Sequence, residues 1–114
     1  MASHSQFEFI GNLTRDASGR KTGEEYRAVF DLAVDRVSKQ SAGPKRKTTD
    51  FFRIKCFDVL AESAVLYLGK GSEVFVRGRI EATKYERAGE THYGIDFVAD
   101  KIVYLTTKAP EAGQ

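Results

Sequence analysis

The residues of this chain best suited to chemistry are aromatic and basic, and they are interleaved in two stretches. Residues 51–57 read Phe-Phe-Arg-Ile-Lys-Cys-Phe, and residues 75–87 contain two aromatic and four basic residues. An aromatic ring can stack on the face of any nucleobase, and a cationic side chain neutralises a backbone phosphate. This combination predicts a surface that binds single-stranded nucleic acid without reading its sequence.

The first of these stretches also predicts which side chains face outward. Successive residues of a strand point to opposite sides of the sheet. Phe51 and Phe52 therefore cannot both enter the core, and one of them should be exposed. Phe57 falls on the same side as Phe51 if the strand stays regular between them.

Basic residues are also concentrated between residues 36 and 47, where five of them occur without an acidic one. Gly43 and Pro44 lie near the centre of this part of the chain and predict an exposed loop over residues 38–49. The whole chain carries a net charge of only +2. The distribution of charge, and not its total, therefore favours an anionic partner.

No set of titratable residues converges on an active site. His4 and His92 lie far apart in sequence, and the carboxylates are scattered over strands and loops. The single cysteine, Cys56, has apolar neighbours and is expected to be a packed thiol, not a nucleophile or metal ligand. The Gly-Lys-Gly-Ser sequence at residues 69–72 lacks the earlier glycine of a phosphate-binding loop. We expect neither an enzyme nor a bound cofactor or metal.

The elements that must position these residues are mostly strands. Apolar residues alternate with polar ones in five segments, which are residues 7–13, 26–37, 50–57, 73–81 and 92–105. One helix of about 10 residues is predicted with Asp58 as its N-cap and Gly69 just beyond its end. Residues 14–25 are polar and predict a loop, and Gly78 predicts a bend or bulge within its strand.

This order of elements predicts an all-β fold with one short helix, a five-stranded Greek-key OB-fold barrel. A two-layer α+β sheet would have the same order, so the pattern leaves it open. The length of 114 residues fits one domain. We expect that domain over residues 1–106 and a short flexible C-terminal tail over 107–114. The sequence has no apolar run near the roughly 20 residues of a membrane span and no signal peptide, so a cytoplasmic location is expected.

Several segments resemble the bacterial single-stranded DNA-binding protein family. They lie at residues 10–16, 30–34, 52–57, 60–62, 67–79 and 99–102. The most specific is Tyr-Leu-Gly-Lys-Gly-Ser-Glu-Val-Phe-Val-Arg-Gly at residues 67–78, which follows Gly-Asn-Leu at residues 11–13. The resemblance implies an OB barrel that assembles as a homotetramer, binds single-stranded DNA and associates with the nucleoid.

The resemblance also implies roles for individual residues. Phe51, Phe57 and Tyr85 look like the base-stacking aromatics of the family. Two of these positions are often tryptophan in relatives, and this chain has no tryptophan, so we expect weaker binding per nucleotide. A fourth aromatic position of the family, near Val37 or Ser38, is not aromatic here. The residues expected to contact DNA phosphates are Arg36, Lys45, Arg46, Lys47, Arg53, Lys55, Arg77, Arg79 and Lys84.

Family members recruit replication and repair proteins through an acidic tip at the end of a flexible tail. The sequence to Gln114 contains no such tip, so partner recruitment of this kind stays open. Two other functions stay open as well, an OB-fold protein-interaction module and an RNA-binding OB domain akin to cold-shock proteins. A salt-dependent affinity would argue against the first, and competition between DNA and RNA would test the second.

Overall fold

The computed structural model describes residues 3–38, 43 and 46–111 of the chain. These residues form six strands and one helix. The elements in chain order are β1 (Phe7–Leu13), β2 (Ser18–Thr22), β3 (Glu25–Ser38), β4 (Arg46–Phe57), α1 (Asp58–Tyr67), β5 (Glu73–Arg87) and β6 (Glu90–Thr106).

Five of the strands close into a ring. β5 is antiparallel to both β1 and β6, and β6 makes a short parallel contact with β4. β4 is antiparallel to β3, and β3 returns to β1 through the pairs Asn12–Ala33 and Leu13–Leu32. The ring β1-β5-β6-β4-β3 confirms the predicted all-β fold, a five-stranded barrel with one short helix.

The interior of the barrel is filled by the inward-facing residues of the ring strands. Phe30, Leu32, Ile54, Val74 and Val76 are all buried. A cluster of four aromatic rings adjoins them and consists of Phe7, Phe9, Phe52 and Phe97, with the Phe9 and Phe52 ring centroids 4.3 Å apart. The packed thiol predicted at Cys56 is confirmed, because the residue is fully buried and burial raises its pKa to about 12.

The helix has the predicted length, but its start differs from the prediction. α1 has 10 residues, and its N-cap position is Phe57, which makes no side-chain capping hydrogen bond. The prediction of Asp58 as the N-cap is wrong, because β4 runs into α1 without a loop and the chain must turn at Asp58 itself. The φ of Asp58 is 54°, a left-handed conformation that aspartate tolerates better than most residues. Ala61 and Ala64 are the buried residues of the helix.

Two segments predicted as loops contain strand. All five residues of β2 are exposed, so the sequence shows no apolar alternation that would predict this strand. The strand forms because its backbone pairs with that of β3. β4 begins at Arg46, which pairs with Ser38, so the loop predicted over residues 38–49 is shorter than expected. Residues 39–42, 44 and 45 of that loop lie outside the described residues.

β5 and β6 form a long hairpin that continues past the barrel. Gly78 lies at a register shift between the two strands, which confirms the predicted bulge. β1 pairs with β5 only as far as Gly78, and β4 pairs with β6 only at Phe97 and Val98. In the described part of the chain, residues 81–87 and 90–96 pair only with each other, and we call this two-stranded extension the arm. A two-residue turn closes it, with positive φ at both Ala88 and Gly89 as in a type I′ hairpin.

The beginning of the predicted C-terminal tail contacts the barrel. The Ser72 hydroxyl donates to the Lys108 carbonyl and accepts a bond from the Lys108 amide. The Gly69 amide also donates to that carbonyl, at 2.7 Å. Residues 112–114 lie outside the described residues, and the domain boundary at residue 106 stays a prediction.

Candidate nucleic-acid interface

The outward side of β4 carries alternating aromatic and basic side chains. Phe51 is 67% exposed, whereas Phe52 packs inward in the aromatic cluster, so the expectation that one of the pair is exposed is confirmed. Ile54 and Cys56 are also buried, which places Phe51, Arg53, Lys55 and Phe57 together on the outside. We call these four residues the β4 face.

A carboxylate on β3 links Arg53 of the β4 face to Arg15. Asp31 accepts from the Arg53 Nε and the Arg15 guanidinium, both at 2.9 Å. The hydrogen bond from Arg53 is the main cause that lowers the pKa of the Asp31 carboxyl below its usual value, and the hydrogen bond from Arg15 lowers it further. Beside them lies an open cleft of about 400 Å³, lined by Thr14, Arg15, Asp31, Phe51, Phe52 and Arg53. The sequence prediction missed Arg15, although it belongs to the segment 10–16 that carries the family resemblance.

Most of the cations predicted to contact phosphates are already paired with carboxylates of the chain. Besides Arg53–Asp31, the pairs are Arg36–Asp50 at 2.7 Å, Lys47–Asp35 at 3.1 Å, Lys55–Asp96 at 2.8 Å, Arg77–Asp100 at 3.5 Å and Arg79–Glu81. Hydrogen bonds from Thr49 and Lys47 lower the pKa of Asp35, so this carboxyl also stays ionised. A phosphate that binds one of these cations has to compete with the carboxylate.

Three predicted cations differ from these. Lys45 lies outside the described residues. No carboxylate among the described residues forms an ion pair with Arg46 or Lys84. These two side chains are exposed and available to a phosphate without competition.

The strand register separates the predicted cations into different faces. Lys47 lies on the same side of β4 as Phe51. Arg46 lies on the other side, and so does Arg36, because it pairs with Thr48. Val98 of β6 is the register partner of both Lys55 and Arg79, so Arg79 adjoins the β4 face. Arg77 pairs with Glu8 of β1 and lies further round the barrel.

Phe57 is half-buried, and a cation covers part of its ring. The Arg27 guanidinium carbon lies 5.6 Å from the Phe57 ring centroid, because Arg27 is the register partner of Phe57 on β3. This geometry is typical of a cation–π contact. One face of the Phe57 ring is therefore in contact with Arg27, and a base has to stack beside this guanidinium or on the other face. The sequence prediction did not include Arg27.

Tyr85 lies on the arm, 53% exposed, with its ring stacked on that of His92. The two ring centroids are 5.2 Å apart at an angle of 18°, and the residues are cross-strand partners. Asp96 lies four residues after His92 on the same face of β6 and accepts a hydrogen bond from Lys55, so this face of the arm continues the β4 face. Lys84, the neighbour of Tyr85 in sequence, points to the opposite face of the arm.

A closed five-stranded barrel with an exposed aromatic and basic strand face is the architecture of an OB-fold nucleic-acid binder. A family model described as "Single-strand binding protein family" matches residues 5–105. The chain belongs to this family.

Two curated relatives are named single-stranded DNA-binding protein. The one from Thermotoga maritima is 36% identical over 113 residues, which cover 97% of this chain and 80% of the relative. The one from Oceanobacillus iheyensis is 36% identical over 107 residues, which cover 92% of this chain and 65% of the relative. The chain thus spans about two thirds to four fifths of the length of these two relatives.

Solved structures of single-stranded DNA-binding proteins share the fold. A deletion mutant of the single-stranded DNA binding protein from Thermus aquaticus superposes with a TM-score of 0.81 at 25% identity, over 92% of this chain and 54% of that chain. A Plasmodium falciparum SSB, solved in complex with single-stranded DNA, superposes with a TM-score of 0.80 at 19% identity, over 92% of this chain and 97% of that one. These similarities establish the OB barrel.

Among the described residues, no group of histidine, cysteine and carboxylate side chains is arranged to hold a metal ion. No helix in the described part of the chain has the length and apolar character needed to cross a membrane.

Proposed function

We propose that this chain binds single-stranded DNA without sequence preference, along the β4 face and the Tyr85 side of the arm. The observation that carries the proposal is Phe51, an aromatic ring 67% exposed on a strand whose other outward residues include Arg53 and Lys55. An exposed phenylalanine between cations has no role in the core, whereas it suits base stacking next to phosphate neutralisation. Family membership and the names of the relatives support the same function.

In the proposed mechanism, DNA replaces the carboxylates of the chain one ion pair at a time. Bases stack on Phe51, Phe57 and Tyr85, while phosphates take over the guanidinium and ammonium groups that the chain's own carboxylates hold. Each exchange returns a carboxylate to water, so the net electrostatic gain is smaller than for a free cation. The paired cations are nevertheless held in place before DNA arrives, which lowers the conformational cost of binding.

We further propose that the protein acts as a homotetramer in replication, recombination and repair, in the cytoplasm and on nucleoid DNA. The outer surface of β1, β5 and β6 exposes a row of apolar side chains that supports self-association. Ile10 is 56% exposed and is the register partner of Phe75, which in turn pairs with Val103. Size-exclusion chromatography with light scattering tests this, and a monomeric mass at micromolar concentration would contradict it.

The function is tested by titrating a fluorescein-labelled dT oligonucleotide of 35 nucleotides with the protein at several salt concentrations. A duplex and an RNA of equal length are the controls. We expect tight binding to single-stranded DNA that weakens with salt, and little binding to the duplex. Absence of binding to the DNA at low salt would favour a protein-interaction module, and preference for the RNA would favour the RNA-binding alternative.

A further inference from the structure

The arm has a second face, opposite to Tyr85 and His92, and that face carries its own aromatic and basic pair. Tyr93 is 76% exposed and is the direct cross-strand partner of Lys84. Ile95, 61% exposed, lies next to Tyr93 on the same face and pairs with Ala82. Tyr93 follows His92 in β6, and Lys84 precedes Tyr85 in β5. The Tyr93–Lys84 pair therefore points to the opposite side of the arm from the Tyr85–His92 pair.

Neither residue of this second pair has a structural task that explains it. In the described part of the chain, the arm pairs only with itself, and Lys84, Tyr93 and Ile95 on its second face are all exposed. Lys84 forms no ion pair with any described carboxylate, unlike Lys55 on the β4 face. Glu86, two residues further along the same face, is the acidic residue nearest in register.

We propose that Tyr93 and Lys84 form a second contact for single-stranded DNA, with a base stacked on Tyr93 and a phosphate bound to Lys84. This inference rests on the proposed function and extends it, because DNA bound along Tyr85 then passes around the arm and contacts both of its faces. The arm is only two strands wide, with about 5 Å between the strands, so DNA can pass around its edge to the second face.

Two observations favour DNA over a second copy of the chain as the occupant of this face. Lys84 is the cross-strand partner of the exposed Tyr93 and forms no ion pair with a described carboxylate, so the pair offers a positive charge and a stacking surface on one face. The face also belongs to the same two strands as the proposed interface, on the opposite side of the arm from Tyr85. Cation and ring side by side are the combination that single-stranded DNA requires.

Photocrosslinking tests the contact directly. The full chain is bound to a dT oligonucleotide of 35 nucleotides that contains 5-iododeoxyuridine, irradiated at long wavelength, digested and analysed by mass spectrometry. We expect adducts at Tyr93 as well as on the β4 face. Adducts at Phe51 or Tyr85 with none at Tyr93 would overturn the inference and leave the proposed function intact.

Two variants of Tyr93 separate the ring from the strand. Threonine and phenylalanine both favour strands, but only phenylalanine keeps a ring. We expect Tyr93→Thr to weaken binding of the oligonucleotide about tenfold and Tyr93→Phe to restore most of the affinity. Tyr67→Thr is the matched control, since Tyr67 is an exposed tyrosine on α1, away from the arm.

The possible results separate this inference from the proposed function. If the unaltered chain does not bind the oligonucleotide, the proposed function fails and the inference fails with it. If the unaltered chain binds and Tyr93→Thr binds equally well, only the inference is overturned. A Tyr93→Thr variant that changes the mass of the assembly, with no adduct at Tyr93, would show that the face contacts another copy of the chain and would also overturn it.

Discussion

The β4 face and the arm carry the same kinds of side chain on very different supports. The β4 face lies on the outside of a closed barrel, directly over the buried residues Ile54 and Cys56. We call the β4 face together with the barrel strands that support it the wall. The arm consists of two strands that pair only with each other in the described part of the chain and that contact the β4 face at their base through the Lys55–Asp96 ion pair. Isolated two-stranded hairpins are at best marginally stable. Cations on the wall are held by carboxylates, whereas Lys84 on the arm is not.

These two supports allow one small barrel to combine two modes of binding. The wall presents rings and cations that are fixed before the ligand arrives, so little conformational entropy is lost on binding. The arm offers more exposed surface per residue because both of its faces are open. It loses more conformational freedom when it is ordered against a strand of DNA. We expect the wall to dominate stability and the arm to adjust affinity.

The largest expected effect comes from removing a buried side chain beneath the wall. Ile54→Ala should lower the free energy of unfolding by about 2–5 kcal/mol, because the fully buried isoleucine leaves a cavity. Ile95→Ala on the arm should change it by less than about 0.5 kcal/mol, because that side chain is mostly exposed. Urea unfolding followed by circular dichroism measures both values. Equal losses would show that the arm is as well packed as the wall.

The next effect concerns Gly78, where the arm leaves the barrel. A Cβ at this position would overlap the carbonyl of Val98, so the backbone must shift to accept it. We expect Gly78→Ala to destabilise the fold by about 1–3 kcal/mol, the usual cost of overpacking. Gly94→Ala, further out on the arm, meets only the Thr83 hydroxyl at 3.0 Å and is the control. Thermal unfolding of the two variants measures the difference, and a Gly78→Ala variant as stable as the control would contradict the account.

The salt dependence of binding distinguishes the free cation from the paired ones. Lys84→Ala should reduce the slope of log affinity against log salt by about 0.7, the value for one phosphate on a single strand. Lys55→Ala should reduce it less, because Asp96 regains counterions when Lys55 is transferred to a phosphate. Titrations at four salt concentrations give both slopes. Equal reductions would mean that the ion pairs of the wall do not compete with DNA.

The smallest expected effect is the acid sensitivity of the wall. The pKa of Asp31 is lowered in the folded state, chiefly by the hydrogen bond from Arg53, from an ordinary value of 3.8. The stabilisation from this carboxylate is therefore complete above about pH 4 and is lost as the pH falls toward the lowered pKa. Melting temperatures between pH 5 and pH 2.5 should fall more for the unaltered chain than for Asp31→Asn. Parallel curves would contradict this assignment.

The alternation along segments such as residues 50–57 predicted the strands, whereas the choice of a barrel over a two-layer α+β sheet came from the resemblance to a known family. Alternation also predicted that one of Phe51 and Phe52 is exposed, and the structure shows that it is Phe51. β2 could not be predicted, because five exposed residues leave no apolar signal and only the pairing with β3 forms the strand. The start of α1 was misplaced because the left-handed turn at Asp58 depends on how β4 enters the helix.

The candidate site was harder to predict than the fold. Residue types identified the cations, but not the carboxylates that bind them, because pairs such as Lys55–Asp96 join residues 41 positions apart. The contacts of Arg15 with Asp31 and of Arg27 with Phe57 likewise depend on the cross-strand register. Alternation could have shown that Lys84 and Tyr85 point to opposite faces, although both had been assigned to one site.

The proposed binding of single-stranded DNA to the β4 face depends on the exposed ring of Phe51, and a comparison of two affinities tests this dependence. Phe51→Ala and a control, Val59→Ala on the exposed side of α1, are titrated against the same labelled dT oligonucleotide. We expect Phe51→Ala to lose about 1–3 kcal/mol of binding free energy and the control to lose none, with both variants folded. Equal affinity of the two variants would show that the Phe51 ring does not contact DNA.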